Sequence, residues 1–259
     1  MGRISLRIYG LLVAAFLMLP LLIVIPISFS ASEYLQFPPP GLSLRWYERY
    51  LGSSDWMDAT WRSVLIGIAT SMFSLALGIP LSISLVRARS RLLDLIERLM
   101  LGPVVVPNMV IAVSIYGWFA SLQLIGSWIS VALAHTLLAL PYATIVLTAG
   151  LRAIDPSLEK AARGLGANPL HAFWWITLPQ LRPSLTTAAT FAFIISFDEL
   201  IIAMFLAGPH ATLPKKMFEN ISFSIDPTIA AVSVLQIALI AILLFVAGVV
   251  RRPQPGPRS

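Results

Sequence analysis

Polar and apolar positions along this chain are segregated into long blocks instead of alternating as stripes. Six blocks are nearly free of charge: Tyr9–Phe29, Arg62–Val86, Pro103–Leu124, Trp128–Gly150, Ser184–Leu206 and Thr228–Val250. A soluble amphipathic helix buries one stripe, whereas a run of about 20 apolar residues covers the roughly 30 Å hydrocarbon core of a bilayer. The pattern predicts an all-α membrane protein with six transmembrane helices, organised as a single transmembrane domain over residues 1–259. Pro20, Pro26, Gly78, Pro80, Pro107 and Pro141 fall inside blocks, where membrane helices tolerate them better than soluble ones. The period-two alternation of a β-barrel is missing. Arg3 and Arg7 before the first block and Ser30-Ala31-Ser32 after it are placed like signal-peptide flanks. Its apolar run of about 20 residues exceeds the roughly 7–15 of a signal core, so the block is read as a retained helix.

Composition agrees with the blocks. Hydrophobic residues make up 58% and charged residues 12% of the 259 positions, against about 25% charged in a soluble domain. The absence of cysteine removes disulfides, thiolate metal ligands and a cysteine nucleophile from consideration. A net charge of +6 raises a nucleic-acid reading, but the basic residues sit in short segments between blocks, as topology signals do. With the amino terminus inside, the inner segments hold Arg3, Arg7, Arg87, Arg89, Arg91, Arg98, Arg152, Lys160, Arg163, Arg182, Arg251, Arg252 and Arg258, thirteen of the 18 basic residues. Arg45, Arg49, Lys215 and Lys216 stay outside, with Arg62 at a helix entrance. The positive-inside rule places both termini in the cytoplasm, which an even number of spans requires.

Two connections exceed simple turns. Segment 30–61, outside, carries Pro38-Pro39-Pro40 and several aromatics and is expected to pack on the outer surface. Segment 151–183, inside, carries two helix starts, Asp155-Pro156 and Asn168-Pro169. Asp and Asn cap free amides, and Pro suits the first helical position. Leu158, Ala161, Ala162 and Leu165 recur on one face, and Gly166 suits a left-handed cap. The product is a helix–turn–helix at the membrane surface: an interfacial element, a loop packed on its own bundle, or a docking site for a partner. Its small residues permit close approach of a partner surface.

Lys160-Ala161-Ala162, three residues, Gly166, nine residues and Ile176-Thr177-Leu178-Pro179 resemble the EAA loop of ABC importer permeases. The likeness extends through Ser43–Tyr47, Ala134-His135-Thr136, Leu140-Pro141-Tyr142, Ser196–Leu200 and Ile225–Ala231 to the spermidine/putrescine branch, particularly its C-type permease subunit. It implies a type I importer permease in a bacterial cytoplasmic membrane, with Glu159, Lys160, Ala161, Ala162, Gly166, Ile176, Leu178 and Pro179 in a coupling loop seated on a cytoplasmic ABC ATPase dimer. That partner would bind the ATP and Mg. ATP-driven closure would move the loops and rock the helices between outward and inward access. A second permease, a different chain, and a soluble substrate-binding protein are also implied. The family's glutamate is Lys160 here, with Glu159 immediately before it; neighbours on a helix point about 100° apart, so one does not replace the other. The branch also serves other small organic solutes and ferric iron.

Candidate pathway residues are the ionisable and aromatic groups within blocks. Asp198 and Glu199 would cost several kcal/mol in lipid unless paired or hydrated. They either line a cavity that attracts a cation such as a polyamine or make structural bonds to neighbouring helices. His135 is open to the same two readings. Tyr116, Trp118 and Tyr142 either surround an ammonium group by cation–π attraction or serve as packing and interface anchors. Arg87, Arg89 and Arg91 read as positive-inside anchors. No P-loop, H-E-x-x-H, G-x-S-x-G or clustered metal ligands occur in the sequence, so no catalytic, cofactor or metal site is expected in the chain itself. An ion-gradient-driven secondary transporter is the competing reading; an intramembrane enzyme would need a nucleophile or metal set.

Overall fold

The structure, a computed structural model, describes residues 3–88, 90–223 and 226–250. Arg89, Ile225, Arg251, Arg252 and Arg258, used above for topology or resemblance, lie outside the described residues. The described residues are almost wholly helical, with no strand and one isolated antiparallel bridge, Ser30 to Leu42. In order they form α1 (Arg3–Ser28), α2 (Arg45–Gly52), α3 (Ser54–Arg87), α4 (Arg91–Met100), α5 (Gly102–Val105), α6 (Asn108–Ser121), α7 (Trp128–Ala153), α8 (Pro156–Gly164) and α9 (Pro169–Ala172). A π-helical turn (Phe173–Thr177) leads to α10 (Leu178–Phe197), α11 (Ile201–Leu206), α12 (Leu213–Phe223) and α13 (Thr228–Val250).

Four of these helices, α1, α3, α7 and α13, are long and apolar enough to cross a membrane, and the bent pair 91–105 plus 108–121 makes a fifth if counted as one span. Two of the six blocks are not continuous helices. In 103–124 the break falls at Val106-Pro107. Proline lacks the amide needed to continue the ladder and forces the preceding residue extended, as Val106 is at φ −77°, ψ 132°. The two arms meet at 106°. Block 184–206 breaks at Asp198–Leu200 into α10 and α11. α10 is 20 residues long, but Gln180, Arg182 and Pro183 in its first turns keep it below the apolarity of the other four. Hydropathy registers the surroundings of a segment and not the direction of its backbone, so both breaks were hidden inside apolar runs.

The chain divides into two compact units, Met1–Asp58 with Lys216–Ala241 and Ala59–Lys215 with Ile242–Ser259. In the first, the segment after α1 is organised around Trp46, which is 1% exposed. Its indole N–H donates to the Ser30 carbonyl at 2.8 Å, and the Arg45 guanidinium lies 4.4 Å from its ring centroid. Ser28 Oγ and Tyr47 Oη are 2.8 Å apart, Arg49 pairs with Asp226 at 3.6 Å, and Lys216 pairs with Asp55 at 3.1 Å.

In the second unit, α7 is the central helix and α10 is its main partner. One apolar cluster joins Ala143, Leu147 and Leu151 of α7 to Leu181 and Ala188 of α10. Another gathers Ile66 of α3, Ile111 and Phe119 of α6, Val131 and Leu138 of α7, and Ile202 and Leu206 of α11. Small residues permit this approach: a Cβ on Gly150 would collide with the Ser184 side chain and stand 3.1 Å from Leu181 Cδ1. Within a bilayer, where lipid is as apolar as Leu, such close van der Waals packing is a main source of helix association.

Candidate functional site

Two regions of the second unit carry the chemistry. The first is the loop 151–183. The Asp155 carboxylate accepts from the Ser157 amide at 2.8 Å, and Asn168 Oδ1 accepts from the His171 amide at 2.7 Å, so the two short helices start where their caps and prolines direct. The Ser157 bonds hold the Asp155 carboxyl below its usual pKa. Gly166 has φ +94°, and the Ala167 amide reaches back to the Ala162 carbonyl at 3.0 Å. This left-handed closure strains any residue with a Cβ.

Between the two short helices lies an open cleft of about 600 Å³, lined by Ala162, Gly166, Asn168, His171, Trp175 and Ile176 among others. Lys160 and Ala161 are exposed, Ala162, Ile176, Leu178 and Pro179 are half-buried, and Leu165, Trp174 and Trp175 are 91%, 57% and 76% exposed. A soluble surface seldom leaves two Trp and a Leu this bare within one short segment. Glu159 behaves differently from the rest. It turns inward and accepts from Arg87, the last residue of α3, and from the hydroxyl of buried Thr177.

The second region is a buried polar cluster where α10 breaks. His135 Nδ1 and Ser196 Oγ are 2.8 Å apart, and Thr70 Oγ1 of α3 donates to Ser196 Oγ at 3.2 Å. Glu199 Oε2 accepts from the Ile202 amide at 2.7 Å and the Ala203 amide at 3.4 Å, so the carboxylate caps α11. Its Oε1 faces Asn108 Nδ2 at 3.5 Å, and Oε2 lies 3.6 Å from His135 Nε2, too far for a hydrogen bond. His135 and Glu199 are 1% and 7% exposed.

The structure thus brings His135 and Glu199 together and separates the adjacent carboxylates: Glu199 is buried, Asp198 exposed. Tyr116 makes an edge contact with Phe205 of α11, centroids 6.3 Å apart. Trp118 lies against Phe119, and Trp118 and Tyr142 are 64% and 42% exposed. Sequence reasoning missed Thr70, Asn108 and Ser196 as cluster members and gave Arg87 only an anchoring role. Asn108, a polar residue directly after the Pro107 break, was the visible signal.

Comparison with known proteins follows the same outline. Residues 74–254 match the family described as "Binding-protein-dependent transport system inner membrane component". The chain is 32% identical over 240 residues to the putrescine transport system permease protein PotI of Escherichia coli strain K12, covering 90% of this chain and 85% of that one. It is 28% identical over 255 residues to the spermidine/putrescine transport system permease protein PotC of Haemophilus influenzae, covering 97% and 98%. Among solved structures, it superposes on a chain of a bacterial ABC transporter for import of the acidic polysaccharide alginate with a TM-score of 0.73 at 17% identity, covering 96% and 98%. A chain of the MetNI methionine ABC transporter gives 0.63 at 20% identity, covering 74% and 93%. By family match and by likeness along nearly its whole length, the chain belongs to the inner-membrane components of binding-protein-dependent transport systems, as a multi-pass membrane permease subunit.

Proposed function

We propose that this permease carries a polyamine of the putrescine or spermidine class inward, as one half of the membrane pathway of an ATP-driven importer. The observation that supports the substrate class is the naming of relatives such as PotI and PotC as putrescine and spermidine/putrescine permeases, at 28–32% identity over most of the chain. In this reading six crossings place both termini in the cytoplasm. The loop 155–179 seats on a separate ATPase dimer that binds ATP and Mg, so the chain has no hydrolytic site of its own. A second, different permease completes the pathway, and a soluble binding protein delivers the solute outside.

We assign the two carboxylates different roles, a reading supported by the burial of Glu199 and the exposure of Asp198. Glu199 has its oxygens directed to α11 amides and Asn108, and acts as a structural cap beside His135. Asp198, one residue earlier and exposed, is the group we assign to meeting an ammonium of the substrate, with Tyr116 on the neighbouring helix as an aromatic flank. A dication gains from a carboxylate in a low-dielectric passage.

The test is uptake of radiolabelled putrescine by cells that lack other polyamine importers and carry this chain with its partner subunits. Competition by unlabelled spermidine, with none by amino acids or ferric iron, is the expected result; competition by ferric iron or an amino acid instead would overturn the substrate class. D198N should raise the half-saturating putrescine concentration about tenfold, the worth of roughly 1.4 kcal/mol of lost charge attraction.

A further inference from the structure

Glu159 sits where three elements meet. Its Oε1 accepts from Arg87 Nη2 at the end of α3 and from Thr177 Oγ1 at the end of the π-helical turn, and Arg87 Nη2 is itself 3.5 Å from Thr177 Oγ1. Thr177 is 1% exposed, and the Glu159 and Arg87 side chains are 19% and 41% exposed. An ion pair free in water contributes little and is easily lost. This one is half-buried and holds a third, buried donor, so its geometry is over-determined. Arg87 and Glu159 are 72 residues apart in sequence, so the side chains give α8 a direct connection to α3. The same α3 carries Thr70, bonded to Ser196 in the buried cluster. Seventeen residues separate Thr70 from Arg87, or about 25 Å of helix.

From these contacts we infer that Arg87, Glu159 and Thr177 form a strut that transmits displacement of the α8 loop to α3 and along it to the polar cluster. Glu159 is then a positioning residue inside the permease and not a contact to the ATPase. The exposed Lys160, about 100° around α8, takes the outward place. The assignment rests on the importer reading above and refines it at one point: Glu159, which precedes the Lys160 that stands at the motif's acidic position, faces inward. A strut of this kind affects how much transport each ATP yields, while docking and hydrolysis depend on other surfaces of the loop.

The chain has no cysteine, so engineered thiols are the only ones it carries; the variants are read in the assembled complex of this permease with its ATPase, partner permease and binding protein. E159Q and R87E should leave ATPase co-purification and hydrolysis in place while putrescine uptake per ATP hydrolysed falls about tenfold, a typical coupling energy. The swap R87E/E159R should restore most of that ratio. Loss of the ATPase from E159Q complexes, or a swap no better than R87E alone, would overturn the strut. If the unmodified complex takes up no putrescine, the polyamine reading fails instead. The strut is then decided by R87C/E159C: joining of the two thiols by a bifunctional reagent in membranes supports it, and failure to join overturns it.

Discussion

α1 and α7 are both 26 residues long, yet the fold uses them in opposite ways. None of α1's most apolar window is buried within the chain, whereas 61% of α7's is. α1 is the more apolar of the two by sequence and carries bare Leu11, Phe16 and Leu17. α7 instead spends its positions on Ala134, Ala139, Ala143, Thr144 and His135, all buried. In water the more apolar helix would be the core. In a bilayer the lipid satisfies large aliphatic side chains, and the interior goes to helices with small and hydrogen-bonding residues. The polar cluster and the close α7–α10 contact both lie on the less hydrophobic helix.

Substitutions that treat the two helices alike should separate them. The largest effect is expected from glycine to leucine. G150L places a side chain into Ser184 and Leu181 and should cost about 3 kcal/mol by overpacking, seen as loss of the monodisperse peak in detergent. G10L on α1, where nothing lies within 4 Å of the added Cβ, should leave that peak unchanged; equal damage from both would break the comparison. Next, H135L removes the Ser196 contact and the polar neighbour of Glu199, and should lower the unfolding midpoint by an amount corresponding to about 1 kcal/mol. L17A on α1 should stay within about 0.5 kcal/mol.

The smallest effect is local, at the cap of α8. Asp155 has its pKa lowered by the Ser157 amide, so the cap's contribution is present above the carboxyl's ordinary pKa and is lost as pH falls through the lowered one. D155A should therefore speed amide exchange in α8 at neutral pH and have little further effect in strong acid. An unchanged exchange rate at neutral pH would show that the cap contributes nothing.

Much of this was legible in the sequence, for reasons that also mark where legibility ended. The blocks around α1, α3, α7 and α13 were visible because composition alone reports a lipid environment. Asp155, Gly166 and Asn168 were readable because caps are local chemistry, decided within three or four residues. The breaks at Val106-Pro107 and Asp198–Leu200 were not read, although Pro107 was in view, since proline inside a membrane helix is compatible with both a kink and a stop. The burial of Glu199 and exposure of Asp198 depended on where α10 ended. The inward turn of Glu159 depended on Arg87, far away in sequence, which charge counting had already explained as a topology signal.

The central claim is that transport runs on a separate ATPase working through the loop 155–179. Its most direct test is ATP-dependent putrescine uptake into proteoliposomes holding either the full complex or this permease alone, with and without G166V, which strains the φ +94° turn. The account expects uptake only from the full complex with ATP, and its loss with G166V. Uptake by the permease alone under an ion gradient, unaffected by G166V, would contradict it and favour a secondary transporter.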